Sequence, residues 1–202
     1  MTEARKTTIV RETKETRIRV ELNLDGKGDC QINTGIAMLD HLLSHVARHG
    51  LIDIVIEASG DLKIDQHHTV EDIAICLGQA FRKALGSGKG ITRMAHAIVP
   101  MDEALAIIAL DLSGRGYPVI DESVSFRRKQ IGTLESDLIS HFLETFATEA
   151  RMNLHAGIYT GANDHHKAEA LFKALGRALG TAVCINERIA GDIPSTKGTL
   201  ES

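Results

Sequence analysis

Apolar and polar residues alternate through TRIRVELNL (residues 16–24), which places Ile18, Val20, Leu22 and Leu24 on one side of an extended chain. A two-residue period predicts a strand with one buried face, and the Asp25-Gly26 pair predicts a turn after it. The period then lengthens. MLDHLLSHVARHG (residues 38–50) predicts a helix with Gly50 as its stop. LIDIVIEASGD (residues 51–61) reads as a strand ending in a turn. TVEDIAICLGQAFRKALG (residues 69–86) reads as a helix, with Thr69 and Asp72 as a weak cap and Gly86 as its end. GSGKG (residues 86–90) lacks the spacing of a phosphate-binding loop and reads as a linker.

The pattern recurs beyond that linker. ALAIIALDLSG (residues 104–114) predicts a strand and turn, SDLISHFLETFATEA (residues 136–150) a helix, MNLHAGIY (residues 152–159) a strand, and KAEALFKALGRALG (residues 167–180) a helix. His67 and His165 lie 98 positions apart, as do Glu71 and Glu169, and Gly78-Gln79-Ala80 matches Gly176-Arg177-Ala178 at that offset. His41 and His141 lie 100 positions apart. Such a period is too long for a solenoid. The expected fold is α/β (α+β): a duplicated half-domain, two small sheets each backed by helices, packed into one unit. The first repeat is expected at residues 1–90 and the second at 91–187, with a C-terminal tail at 188–202.

Composition narrows the function. The 202 residues can bury one good core or two small ones of about 100 residues each. Charged residues make up 25% and the net charge is −4, so no large basic field exists for nucleic acid. No apolar run approaches the roughly 20 residues of a membrane span, and the polar opening MTEARKTTIVRETKETR has no signal-peptide core. Three dispersed cysteines, Cys30, Cys76 and Cys184, suggest a reducing compartment rather than a disulfide framework. A cytoplasmic protein without nucleic-acid or membrane partners is expected. Aromatic residues are only 3%, whereas the ten histidines cluster. Neutral imidazoles grouped with carboxylates suggest a transition metal.

The clusters share a pattern. DQHHTVED (residues 65–72) and NDHHKAEA (residues 163–170) each carry HHxxE. On a helix, positions i and i+4 lie about 40° apart, so His67 with Glu71, and His165 with Glu169, can grip one ion. Adjacent His68 and His166 diverge by about 100° and suit a second ion. A lone His-His pair is commonly a surface accident. Recurrence in phase, off the core face, and preceded each time by a histidine-bearing helix, points to metal. The eight donors His41, His67, His68, Glu71, His141, His165, His166 and Glu169 divide into two sites of four. Pseudo-symmetry suggests His67, Glu71, His141 and His166 for one, and His41, His68, His165 and Glu169 for the other, with neighbouring subunits as an alternative source. A six-coordinate ion such as Mn²⁺ would keep two open positions, which catalysis requires and a structural site would fill. His45 and His49 continue the His41 row; one is expected to pack or hydrogen-bond and the other to cap the helix end. Arg93, Arg115, Ser195 and Lys197 stand near turns and in the tail as a cradle for a phosphate monoester.

The chain resembles the imidazoleglycerol-phosphate dehydratase family in TKET (residues 13–16), LDH (39–41), DQHHTVEDIA (65–74), DLSGR (111–115), NDHHKAEA (163–170) and PSTKG (194–198). Gln66 stands where the family commonly has Asp, and Gly116 where DLSGRP is usual. The resemblance implies a hydro-lyase of histidine biosynthesis with two Mn²⁺ per active site. It also implies a homo-oligomer of 24 subunits with sites between them, and Glu15, Arg93, Arg115, Ser195 and Lys197 as substrate contacts. The implied reaction converts D-erythro-imidazole-glycerol 3-phosphate to imidazole-acetol phosphate, the ring as imidazolate expelling the hydroxyl through a diazafulvene-like intermediate. Glu15 is favoured as acid/base, with Glu169 and Glu71 as further catalytic carboxylates. A phosphomonoester hydrolase and a metal-storage or structural protein remain as alternatives.

Overall fold

A computed structural model of the chain describes residues 5–200; residues 1–4 and 201–202, the outer ends of the expected first repeat and tail, lie outside the described residues. The first half runs β1 (Lys6–Glu12), β2 (Thr16–Asn23), β3 (Cys30–Asn33), α1 (Ala37–Gly50), β4 (Asp53–Gly60) and α2 (His67–Leu85). The second runs β5 (Met94–Met101), β6 (Ala104–Asp111), β7 (Tyr117–Ile120), a hairpin of β8 (Gln130–Ile131) and β9 (Leu134–Glu135), α3 (Asp137–Glu149), β10 (Asn153–Thr160) and α4 (Asp164–Val183). A 3-10 turn at Glu187–Ile189 leads into the tail. The two four-stranded sheets share one order, β1-β2-β4-β3 and β5-β6-β10-β7. Inner neighbours are antiparallel, while β3 pairs parallel with β4 and β7 with β10, because a helix crossover lies between each such pair.

Among the described residues the β8–β9 hairpin has no counterpart in the first half, and it accounts for the drifting repeat offset. Strands β2 and β6 begin 88 positions apart, at Thr16 and Ala104, whereas the histidines of α1 and α3 lie 100 apart.

Each sheet buries one face against its own helix. In β2, Ile18, Val20 and Leu22 alternate inward with exposed Arg17 and Arg19 outward, and α2 lies on this face with Ile73, Leu77, Ala80 and Phe81 buried. Helix α4 covers β5 and β6 with Leu171, Phe172, Leu175 and Leu179. The halves then exchange partners, for α1 packs along α4 and α3 along α2. Glycines make these crossings close. A Cβ on Gly176 would fall 2.7 Å from the Val46 carbonyl oxygen, one on Gly50 2.8 Å from that of Gly176, and one on Gly78 2.9 Å from that of Phe146. The repeated Gly-x-Ala is therefore a helix-crossing element.

That contact corrects two sequence readings. Gly50 is the last residue of α1 and not its stop; the left-handed residue is Leu51, at φ 55°. Thr69 and Asp72 do not cap α2 but lie buried within it. The capping acceptor is Asp65, whose Oδ1 receives the His67 N–H at 2.7 Å, and Asn163 does the same for His165 at 2.9 Å. The HHxxE segments thus begin on matching caps, with His67 and His165 inside their helices.

Candidate metal and active site

Two clusters form where the helices cross. In one, His67 and Glu71 of α2 meet His141 of α3. The His67 and His141 rings stack with centroids 4.5 Å apart, and His141 Nε2 lies 3.5 Å from Glu71 Oε1. In the other, His165 and Glu169 of α4 meet His41 of α1. Here His41 Nε2 and His165 Nε2 lie 2.8 and 2.7 Å from the same Glu169 oxygen. Each cluster therefore takes a His-x-x-x-Glu pair from one half and a histidine from the other.

The two are not identical. His45 Nε2 stands 3.1 Å from Glu169 Oε2, and the Lys173 amine 2.6 Å from the same oxygen. The repeat counterparts are Thr145 and Ile75, which supply neither. Burial would raise the Glu169 carboxyl, but hydrogen bonds from Lys173, His41 and His165 outweigh it and hold it down to about 2. Burial also pushes His45 down to about 4, against the pull of Glu169, so its imidazole stays neutral. This is the row member expected to hydrogen-bond. His49, expected in part as a cap, instead stacks with His45 at 5.7 Å. The αL residue at that helix end is Leu51, whose N–H bonds to Ala47 O.

His68 and His166 stand apart from both clusters. His68 Nδ1 faces Asp61 Oδ2 at 3.1 Å, with Glu15 Oε2 at 3.7 Å. His166 Nδ1 faces Glu103 Oε2 at 2.8 Å. Within a single subunit, then, three of each expected four ligands come together, and neither four-residue set is complete.

The donors fit a metal. His67, Glu71 and His141 each offer a ligand atom within 4.8 Å of the others, as do His41, His45 and Glu169, and Glu15, Asp61 and His68. His141 Nε2 is shielded from solvent yet makes no hydrogen bond; its 3.5 Å approach to Glu71 is too long for one. Such an atom is costly unless a partner arrives, and an ion between the two would satisfy both.

The phosphate-directed residues are more dispersed. Arg93, at φ 73°, spends its guanidinium on Asp111 through Nε at 2.7 Å and Nη2 at 3.0 Å, and on the Pro194 carbonyl at 2.7 Å. It anchors the tail where Ser195 accepts from the Lys197 N–H at 3.2 Å. Arg115 and Lys197 are exposed, and so is Glu15, in the β1–β2 turn. Gln66 turns away from both histidines. Its amide donates to Thr133 O at 2.6 Å and accepts from Glu135 N at 3.2 Å, clamping the hairpin that leads into α3. At Gly116 a Cβ would fall 2.6 Å from Thr148 O.

Sequence reasoning missed Glu103 and Asp61. The signal for Glu103 was positional: it precedes β6 as Glu15 precedes β2.

Comparison with known proteins shows the family. The family model for imidazoleglycerol-phosphate dehydratase matches residues 34–179. The chain is 57% identical to the imidazoleglycerol-phosphate dehydratase of Roseiflexus sp. (strain RS-1) over 97% of this chain and 98% of that protein. It is 56% identical to the Methanothermobacter thermautotrophicus protein of the same name, over 94% and 95%. The crystal structure of the Staphylococcus aureus dehydratase superposes with a TM-score of 0.80 at 32% identity, covering 90% of this chain and 99% of that one. The Pyrococcus furiosus structure, in complex with (S)-C348, gives 0.79 at 37% identity, covering 95% and 99%. No helix among the described residues is long and apolar enough to cross a membrane. The duplicated fold and this likeness over nearly the whole chain make the protein a member of the imidazoleglycerol-phosphate dehydratase family, hydro-lyases of histidine biosynthesis.

Proposed function

We propose that the protein dehydrates D-erythro-imidazole-glycerol 3-phosphate to imidazole-acetol phosphate in the cytoplasm, with two Mn²⁺ ions per active site and as a high-order homo-oligomer. The observation that supports it is the pair of related centres, His67–Glu71–His141 and His41–His165–Glu169, each built from both halves. His68 and His166 complete the ligand sets, and their separation from both clusters within a single subunit favours their donation to a neighbouring one. When bound, the ions supply Lewis acidity and a template for a nitrogen heterocycle.

The protein's own groups do the rest. Glu15 is exposed, and among the described residues none hydrogen-bonds to its carboxylate, so it is free to take the C–H proton of the substrate's glycerol arm and to deliver a proton to the departing hydroxyl. Arg115, Ser195 and Lys197 bind the phosphate and fix the glycerol arm relative to the ring. Arg93, already holding Asp111 and the tail, orients that cradle and offers its remaining N–H groups. Glu71 and Glu169 hold charge at the centres.

The test is a product assay with purified protein and Mn²⁺. A keto phosphate should form at the rate at which substrate disappears, and a strong chelator should abolish it. Release of inorganic phosphate instead would identify a phosphomonoester hydrolase, and no turnover with metal bound would leave a storage role.

A further inference from the structure

The duplication gives Glu15 a counterpart. Glu103 closes the β5–β6 turn immediately before β6, as Glu15 closes the β1–β2 turn immediately before β2, and each faces the second histidine of its HHxxE segment. The two are employed differently. Glu15 reaches His68 only at 3.7 Å, and Asp61 has taken the His68 Nδ1 position at 3.1 Å. Glu103 is fully engaged. Its Oε1 accepts the backbone N–H groups of Ala162 at 3.0 Å and Asn163 at 2.7 Å, just ahead of α4, and its Oε2 lies 2.8 Å from His166 Nδ1. Two backbone donors fix the carboxylate on the loop that starts α4, so the ring it contacts is fixed as well.

We propose that Glu103 is a positioning residue that holds His166 as the Nδ1–H tautomer, leaving the Nε2 lone pair free for a metal. This rests on the reading of His166 as a ligand. The physical basis is that a carboxylate can only accept, so a neutral imidazole 2.8 Å from it must carry its proton on the facing nitrogen. A carboxylate behind a ligating histidine sets ring orientation and basicity, and its loss costs about 10–100-fold in metal affinity. Asp102, 3.7 Å from His166 Nε2, is 76% exposed and beyond hydrogen-bond distance, and Glu169 acts on the ring only through its charge. Asp61 plays the matching part for His68. Duplication has thereby divided one turn glutamate into two functions, a free proton carrier in the first half and a ligand brace in the second.

The discriminating variant is Glu103→Gln. Its amide oxygen can still accept from Ala162 and Asn163, so the loop keeps its cap. Its amide nitrogen would face His166 Nδ1 as a donor and favour the opposite tautomer, with a proton on Nε2. Mn²⁺ titration followed by the electron paramagnetic resonance signal of free Mn²⁺ counts sites and affinities without using activity. Wild type should bind two ions per subunit, and Glu103→Gln should weaken one of them by about 10–100-fold, with an unchanged melting temperature in chelator. Unchanged affinity for both ions in Glu103→Gln overturns the proposal while leaving the two-ion reading intact. Fewer than two ions in wild type overturns both. Should Glu103→Gln lower the melting temperature, Glu103→Gln/His166→Ala decides: its affinity should match that of His166→Ala alone, and additive losses would overturn a role exerted through His166.

Discussion

The imidazoles of His41 and His165 stack 5.6 Å apart with 29° between their planes, although one belongs to α1 in the first half and the other to α4 in the second. His67 and His141 repeat the relationship in reverse, at 4.5 Å and 24°. Neither half contains the whole of either of these two clusters. His141→Ala should therefore remove the ion associated with His67 and Glu71 and spare the other, while His41→Ala should do the opposite. Metal analysis of saturated, desalted protein should read one ion per subunit for each single variant and none for the double. Loss of both ions in either single variant would show that the centres do not fill independently.

A buried carboxylate ties the Glu15 turn to the ligand helix. Asp72 of α2 accepts from Thr16 Oγ1 and from Arg11 Nε at 2.7 Å, and Thr13 Oγ1 lies 3.2 Å from Thr16 Oγ1 while accepting the N–H groups of Glu15 and Thr16. Asp72→Asn should loosen this linkage without touching a ligand. We expect kcat to fall at least about tenfold, as small misplacements of a reacting group do, with Mn²⁺ content unchanged. A kcat equal to wild type would remove Asp72 from the positioning of Glu15.

Gln66 offers a sharper stability test, because Asp at this position cannot donate. Gln66→Asp loses the bond to Thr133 O, and charge repels the carbonyl left behind. The expected cost is about 1–2 kcal/mol, read as a lower melting temperature in chelator. Gln66→Glu should not rescue it.

The pH dependence of stability should carry a mark from Asp53. Burial alone would raise its carboxyl, but N–H groups of Lys27, Asp29 and Gly28 and the Asn23 amide more than offset that and hold it below the usual carboxylate value. A folded-state pKa below the unfolded value of about 3.9 gives stability that is present above that value and lost as pH falls through the folded one. Asp53→Asn should melt lower at pH 7 by about 1–2 kcal/mol. Its melting temperature should also change less than that of wild type as pH falls from about 5 to 3. Parallel curves for the two proteins would remove Asp53 from the acid sensitivity.

The strands and donors differ in how plainly the sequence announces them. Strands β2, β4, β6 and β10 are interior, so one face of each is buried and the alternation shows. Of the strands that pattern did not reveal, β1, β3, β5 and β7 are the edges of the two four-stranded sheets, and β8 and β9 are a two-residue hairpin too short to show a period. An edge strand tolerates charge and proline: β1 reads KTTIVRE, with alternating exposure, and β7 carries Pro118. The HHxxE phase was legible because helical geometry fixes what lies four residues on. The crossing of halves followed only from counting donors. Glu103 and Asp61 were hidden because a single turn carboxylate has no periodicity, and its meaning comes from the ring that folding brings beside it.

The glycine contact between α1 and α4 acts as a pivot. From Gly50 to His41 is about 13 Å along the helix, and from Gly176 to Glu169 about 10 Å. A tilt of about 5° at the crossing would swing these donors by about 1 Å, more than the difference in bond length that separates one divalent ion from another. The spacing of the His41–Glu169 centre is thus held by two backbones touching at a distance, where a Cβ at Gly176 would meet the Val46 oxygen at 2.7 Å. Gly176→Ala should move the ratio of Mn²⁺ to Zn²⁺ affinity at that centre, measured by competitive titration, and leave the His67–Glu71 centre alone. That result would make discrimination between ions a property of the scaffold, exerted by residues that no ion ever meets.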